Sequence, residues 1–134
     1  MSFLAMIRTA LAAIGIAKVW LVDFEFRSLP GERPDPICMV AHELNTETTV
    51  RWWQDDLRGA AGPPYGTDAG SVMVAYYASA EIGCHLALGW PLPANVLDLY
   101  PEFRTLTNGL ATPCGAGLLA ALAYFDLPAI GAEE

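Results

Sequence analysis

Lys18 to Phe26 reads KVWLVDFEF, a run rich in Val, Trp, Leu and Phe that stops at the turn-rich stretch from Ser28 to Pro36. This pattern predicts a strand. Side chains alternate between the two faces of a strand, so Asp23 and Glu25, two residues apart, point to the same face within a few ångströms of each other. They occupy positions where apolar residues are expected. Two crowded carboxylates repel unless a cation or protons neutralise them, which makes a divalent-metal site a natural explanation. A strand end emerging into solvent is the plainer alternative.

Outward from this strand the chain continues as a meander. The connection SLPGERPDP, with three prolines and a glycine, leads into the apolar run Ile37 to Leu44, and Thr46 to Trp53 alternates as a third segment. Three sequential antiparallel strands is the simplest topology. Gln54 to Gly70 contains GAAGPPYG and reads as a loop or one degraded helix. Ser71 to Tyr77 is a strand, Ala78 to Trp90 a helix with Ser79 as its expected N-cap, and Asn95 to Leu99 a short buried strand. A polar segment from Tyr100 to Pro113 and a helix from about Gly115 to Leu127 complete the order. A meander followed by alternating β and α units predicts an α/β fold with a mixed sheet and helices on its faces. Before the first strand, Leu4, Ile7, Leu11 and Ile14 recur at helical spacing, so residues 1–17 are expected to form an N-terminal helical extension ahead of a second unit, 18–134. Thr9 to Ala17 also faintly resembles the core of a signal peptide, at the short end of the usual apolar length.

The 134 residues suit one compact domain with a sizeable core. Of these, 54% are hydrophobic and only 16% charged, which excludes disorder and predicts an unusually apolar surface or interface. Fifteen acidic and seven basic residues give a net charge of -8, which repels phosphate backbones at long range. Bound divalent cations reverse that sign locally. Cys38, Cys84 and Cys114 lack CxxC spacing and suit reduced thiols, hence a cytoplasmic location. Arg8 and Lys18 bracket the one long apolar stretch, so no membrane span is expected.

The run VWLVDFEF, the later VAYYASAEIGCHLALGWPLPANVLDLYPEFR and the closing TNG and GLLAALAYFDL resemble, in order and spacing, the 3′ to 5′ exonuclease domain of family A DNA polymerases, particularly phage-like and environmental members. The resemblance covers most of the chain from about Val19. It implies a ribonuclease-H-like fold and removal of nucleotides from a single-stranded DNA 3′ end, in the company of a polymerase domain. In that family an Asp-x-Glu on the first strand supplies metal ligands, which carries over to Asp23 and Glu25. The next acidic ligand, near the start of the helix after the fourth strand, corresponds to Glu81. Two Mg²⁺ or Mn²⁺ ions about 4 Å apart are then implied, one activating water and one stabilising the departing 3′ oxygen. Asp23 would bridge them, Glu25 hold the nucleophile-side ion and Glu81 help hold the other.

The chain departs from the family in four places. Ala80 precedes Glu81 where an aromatic is usual, Glu81 itself replaces a shorter Asp, and Tyr77 stands four residues earlier where the family has Asn. The family's last motif, Tyr or His followed four residues on by Asp, is placed well beyond Leu127, and Tyr124 has Pro128 four residues on. The resemblance therefore implies a domain incomplete at its C-terminus, weak or inactive by itself, whose uncovered apolar surface favours self-association.

Asp98, within a short apolar strand, needs partners and is read as structural support for the site rather than as a ligand. Cys84 and His85 diverge by about 100° on a helix and do not form a catalytic pair. Trp52 and Trp53 read as one core and one surface aromatic. A non-catalytic ribonuclease-H-like interaction module is the chief alternative function; a small acidic interaction or inhibitor protein explains the charge but not the ordered motifs.

Overall fold

A computed structural model describes residues 1–129. Residues 130–134, the end of the expected second unit, lie outside the described residues. Among the described residues the chain is an α/β structure with a five-stranded mixed sheet and five helices. β1 (Lys18–Arg27), β2 (Asp35–Glu43) and β3 (Thr48–Trp53) form the antiparallel meander. β4 (Ser71–Ala75) lies parallel to β1 on its other side, and β5 (Val96–Asp98) parallel to β4. The order across the sheet is β3-β2-β1-β4-β5.

Composition explains the places of β4 and β1, whereas β5, expected to be buried, is an edge strand that leaves Val96 and Leu97 exposed. All five residues of β4, Ser-Val-Met-Val-Ala, are buried, as befits a strand flanked by neighbours and covered on both faces. β1 alternates instead. Trp20, Val22 and Phe24 join Met39, Ala41, Met73 and Ala75 in the main core, closed by Leu57, Tyr65, Cys84 and Trp90. Each fully buried Met or Leu side chain contributes about 1.5–3 kcal/mol there. The opposite face carries a smaller cluster, Ile16, Val19, Val72 and Val74, with Leu11 of α1 (Phe3–Ala13) and Leu44 packed against it. α1 starts at Ser2, whose hydroxyl accepts from the Ala5 N–H at 3.2 Å, and Arg8 Nη2 donates to the Leu44 carbonyl at 3.1 Å. The small cluster reaches along β1 no further than Val19. Leu21, Asp23 and Glu25, next on the same face, are exposed.

α2 (Gln54–Gly59) is the short helix of the segment predicted as loop or degraded helix, and it buries Leu57. α3 (Ser79–Leu88) covers the main core and ends at Gly89, whose φ of +68° is the left-handed conformation that favours glycine. Its start corrects one expectation: the N-cap is Ala78, with Ser79 already helical.

α4 (Leu99–Leu106) occupies the start of the stretch that reads in the sequence only as a polar segment, with no element assigned. Pro101 falls in its first turn, where a missing N–H leaves no intrahelical bond unmade, and Asp98 caps it by accepting from Tyr100 N. Phe103 is its buried anchor. α5 (Leu118–Tyr124) is shorter than predicted, because Gly115 adopts φ +85° and Gly117 is an extended N-cap. Trp52 packs edge-on to Trp90, whereas Trp53 is 68% exposed. Among the described residues no helix is long and apolar enough to cross a membrane.

Candidate metal centre

The parallel strands β1, β4 and β5 all end on one side of the sheet, the usual position for a ligand crevice in α/β folds. β4 stops at Ala75, while β1, whose last pairing with β4 is Leu21 with Val74, runs on to Arg27. The overhanging part of β1 carries Asp23 and Glu25 on its open face. The β1–β2 register shifts between Glu25 and Phe26, so Ile37 is an extra residue just past the partner of Glu25. Such bulges re-aim neighbouring side chains.

Glu81 comes to this overhang from α3. It is 3% exposed, and its Oε1 accepts from the Phe24 N–H, which β4 has left free, in a long contact of 3.4 Å. Its Oε2 is buried and has no hydrogen-bond partner among the described residues. Burial pushes its pKa up to about 7; hydrogen bonds oppose this, and the nearby Asp23 and Asp98 carboxylates add to it. Partial burial and then the Glu25 charge likewise raise Asp23 above the ordinary carboxyl range. A buried carboxylate with one oxygen unsatisfied and acids beside it is stabilised by a proton or by a cation.

Asp98 is bonded on both oxygens. Oδ1 accepts from Tyr77 N at 2.9 Å and Tyr100 N at 3.0 Å, and Oδ2 from Ala78 N at 3.0 Å. It ties the end of β5 to the turn that launches α3, and thereby fixes where Glu81 stands.

Behind Glu81 lies a dry floor. Burial first, and then the charge of Glu81, push the Cys84 thiol up to about 12 and raise the Tyr65 hydroxyl. His85 is fully buried between the Tyr65 hydroxyl, 2.6 Å from Nε2, and the Pro91 carbonyl, 2.7 Å from Nδ1. The carbonyl can only accept, so Nδ1 carries the proton and Nε2 accepts from Tyr65. Burial lowers the His85 pKa, in keeping with this neutral form. Cys84 is inert packing next to a neutral structural histidine.

The structure thus groups Asp23 and Glu25 on one strand face and sets Glu81, from the main-core side, against the Phe24 N–H between them and within electrostatic reach of Asp23, with Asp98 holding the connecting turn. Among the described residues, no three His, Cys, Asp or Glu side chains stand close enough together to hold one metal ion. Tyr77, noted in the sequence only for standing where the resembled family has Asn, adopts φ +74°, uncommon for a bulky residue. Glu43, at the end of β2 and away from the site beside the start of β1, is a second buried carboxylate that the sequence reading did not single out; an acid just before the polar turn Asn45–Thr46 was the available signal.

A cavity of about 650 Å³ beyond α4, lined by Arg104, Asn108, Thr112 and Gly115 among others, contains none of these acids. Compared with known proteins, the chain matches no family model and no curated sequence.

Proposed function

We propose that this chain is a metal-dependent 3′ to 5′ exonuclease domain of ribonuclease-H-like fold, acting on single-stranded DNA 3′ ends. The observation that carries the reading is the buried, unpartnered Oε2 of Glu81 beside Asp23 at the overhanging end of β1. The strand order β3-β2-β1-β4-β5, antiparallel then parallel, is compatible with that fold. The ordered resemblance of the motifs around Asp23, Glu25 and Glu81 supports the activity.

The residues fit hard divalent cations. Carboxylate oxygens are the preferred ligands of Mg²⁺ and Mn²⁺, and such ions are commonly held by one or two carboxylates plus substrate phosphate oxygens. That suits a site where no three described acids converge on one point. When bound, the ions supply a nucleophilic hydroxide and neutralise charge developing on the leaving 3′ oxygen. Asp23 and Glu25, on the exposed face of β1, would hold the ions, and Glu81 would contribute its free oxygen. Asp98 positions the turn, with both oxygens engaged by backbone N–H groups. Few protein ligands predict millimolar ion affinity and slow cleavage.

A 5′-labelled single-stranded oligonucleotide incubated with Mn²⁺ tests the reading: a ladder of products shortened from the 3′ end is expected, and Asp23→Ala should abolish it. No cleavage and no effect of Mn²⁺ on thermal stability would defeat it.

A second reading, a non-catalytic ribonuclease-H-like interaction module, is favoured by the apolar groove between α4 and α5. Leu106, Leu118, Phe125 and Leu127 are each about half exposed or more there. A polymerase domain or a second copy would cover such a groove.

A further inference from the structure

We infer that Tyr77, backed by Tyr100 and Arg104, is a stacking platform for a nucleobase of the strand that enters the acidic site. The inference rests on the nuclease reading for the identity of the strand but uses none of the metal ligands.

Tyr77 follows directly on the end of β4 and Tyr76, four residues before Glu81. Its backbone sits at φ +74°, a left-handed conformation that Gly or Asn adopts with far less strain than a bulky side chain. Strain of this kind persists where the surroundings enforce it, and here the Asp98 carboxylate does so through the Tyr77 and Ala78 N–H groups. Tyr77 so presented is 54% exposed. It is nonetheless held in place: Tyr100 meets it at 5.1 Å and 74°, and Tyr76 meets Tyr100 at 5.9 Å and 77°. The same Asp98 Oδ1 accepts from the backbone of both Tyr77 and Tyr100. One carboxylate therefore aligns both members of the pair.

A cation completes the arrangement. Arg104, one turn along α4, lies 5.9 Å over the Tyr100 ring and donates to its hydroxyl at 3.1 Å. An exposed aromatic face beside an exposed guanidinium matches the two parts of a nucleotide, a flat base and an anionic phosphate. On a chain of net charge -8, the cation at this edge favours a nucleotide over a neutral apolar ligand. Stacking is sequence-tolerant, because every base offers a π face. The platform accordingly fits any 3′ terminal sequence.

The test is fluorescence anisotropy of a 5′-labelled oligothymidylate at low salt, in EDTA and again with Ca²⁺, on the full chain. Tyr77→Phe should bind as the wild type does. Tyr77→Ala and Tyr77→Gly should bind about tenfold more weakly, the loss expected for one stacked base. Tyr77→Gly should also melt at the same or a higher temperature, because it relieves the backbone strain. Weakened binding by a variant that is no less stable separates a binding role from a structural one. Unchanged affinity in Tyr77→Gly, or no binding by the wild type in either medium, overturns the platform. The nuclease reading is judged separately, by an Mn²⁺-induced rise in melting temperature that Asp23→Ala removes; that rise can survive the loss of the platform.

Discussion

Two buried glutamates, Glu43 and Glu81, have nearly the same exposure, 2% and 3%, and opposite chemistry. Glu43 ends β2 among donors. Oε1 accepts from Val19 N at 3.2 Å, and Oε2 from Asn45 N at 3.1 Å and Thr46 N at 2.7 Å. Burial pushes its pKa up, but the bonds from Thr46, Val19 and Asn45 outweigh it and hold the carboxyl below its ordinary value. Glu81 has one long bond and one orphaned oxygen, and burial wins. Burial alone therefore does not distinguish a structural acid from a functional one. The distinguishing feature is what the protein supplies in place of water: Glu43 receives a full set of N–H groups, whereas Glu81 is left for something that the chain does not provide.

Substituting each glutamate should expose this contrast most strongly. Glu43→Ala abandons the buried Val19 N–H, which costs about 1–3 kcal/mol when left unpaired, and two part-buried N–H groups of Asn45 and Thr46 that water can reach, so a loss on the order of 2 kcal/mol is expected in urea unfolding. Glu81→Gln at pH 8 and without divalent ions should stabilise instead, by at most about 3 kcal/mol, since it removes a charge whose pKa lies near 7 against an ordinary 4.5. If both substitutions destabilise equally, the comparison fails.

The pH dependence has the same two signs. For Glu81 the folded state holds a proton that the unfolded state has already lost between pH 4.5 and about 7. Its contribution to stability is thus present below 4.5 and fades as pH rises to about 7. Glu43 behaves in reverse: its contribution is present above 4.5 and is lost as pH falls through its lowered folded pKa. Unfolding measured from pH 4 to 8 should show the falling limb flattened in Glu81→Gln, and that limb unchanged in the substitution would sink the assignment.

Asp98 offers a smaller effect. Asp98→Asn can keep the acceptor toward Tyr77 and Tyr100 but turns an amide toward the Ala78 N–H, costing about 1–2 kcal/mol. It should also weaken cleavage by loosening the turn that carries Glu81. A normal rate in a destabilised Asp98→Asn protein would show that the turn does not position the site.

The sheet was legible in the sequence because β1, β2 and β4 are apolar runs of strand length bounded by turn residues and β3 alternates, patterns set by local burial. The face shared by Asp23 and Glu25 followed from strand geometry alone. α4 was not legible: Pro101 reads as a breaker unless its place in the first turn is known, and that place depends on Asp98 reaching the end of β5. The N-cap of α3 misled for a related reason, since Asp98 accepts from the Ala78 N–H across the fold and no local side chain is needed. Glu43 was hidden because one of its donors, Val19, is 24 residues away. The proximity of Glu81 to Asp23 likewise depends on β4 ending two residues short of the acids, a tertiary fact.

The most direct measurement of the central idea, that Glu81 and Asp23 await a cation, is thermal unfolding of the wild type and of Asp23→Ala across a Mn²⁺ and Mg²⁺ titration at pH 7.5. Ion at about ten times its dissociation constant adds about 1.4 kcal/mol, a rise of a few degrees. The wild type should show that rise at millimolar ion and Asp23→Ala should not. An equal rise in both proteins, or none in the wild type at any concentration while it remains folded, would contradict the account.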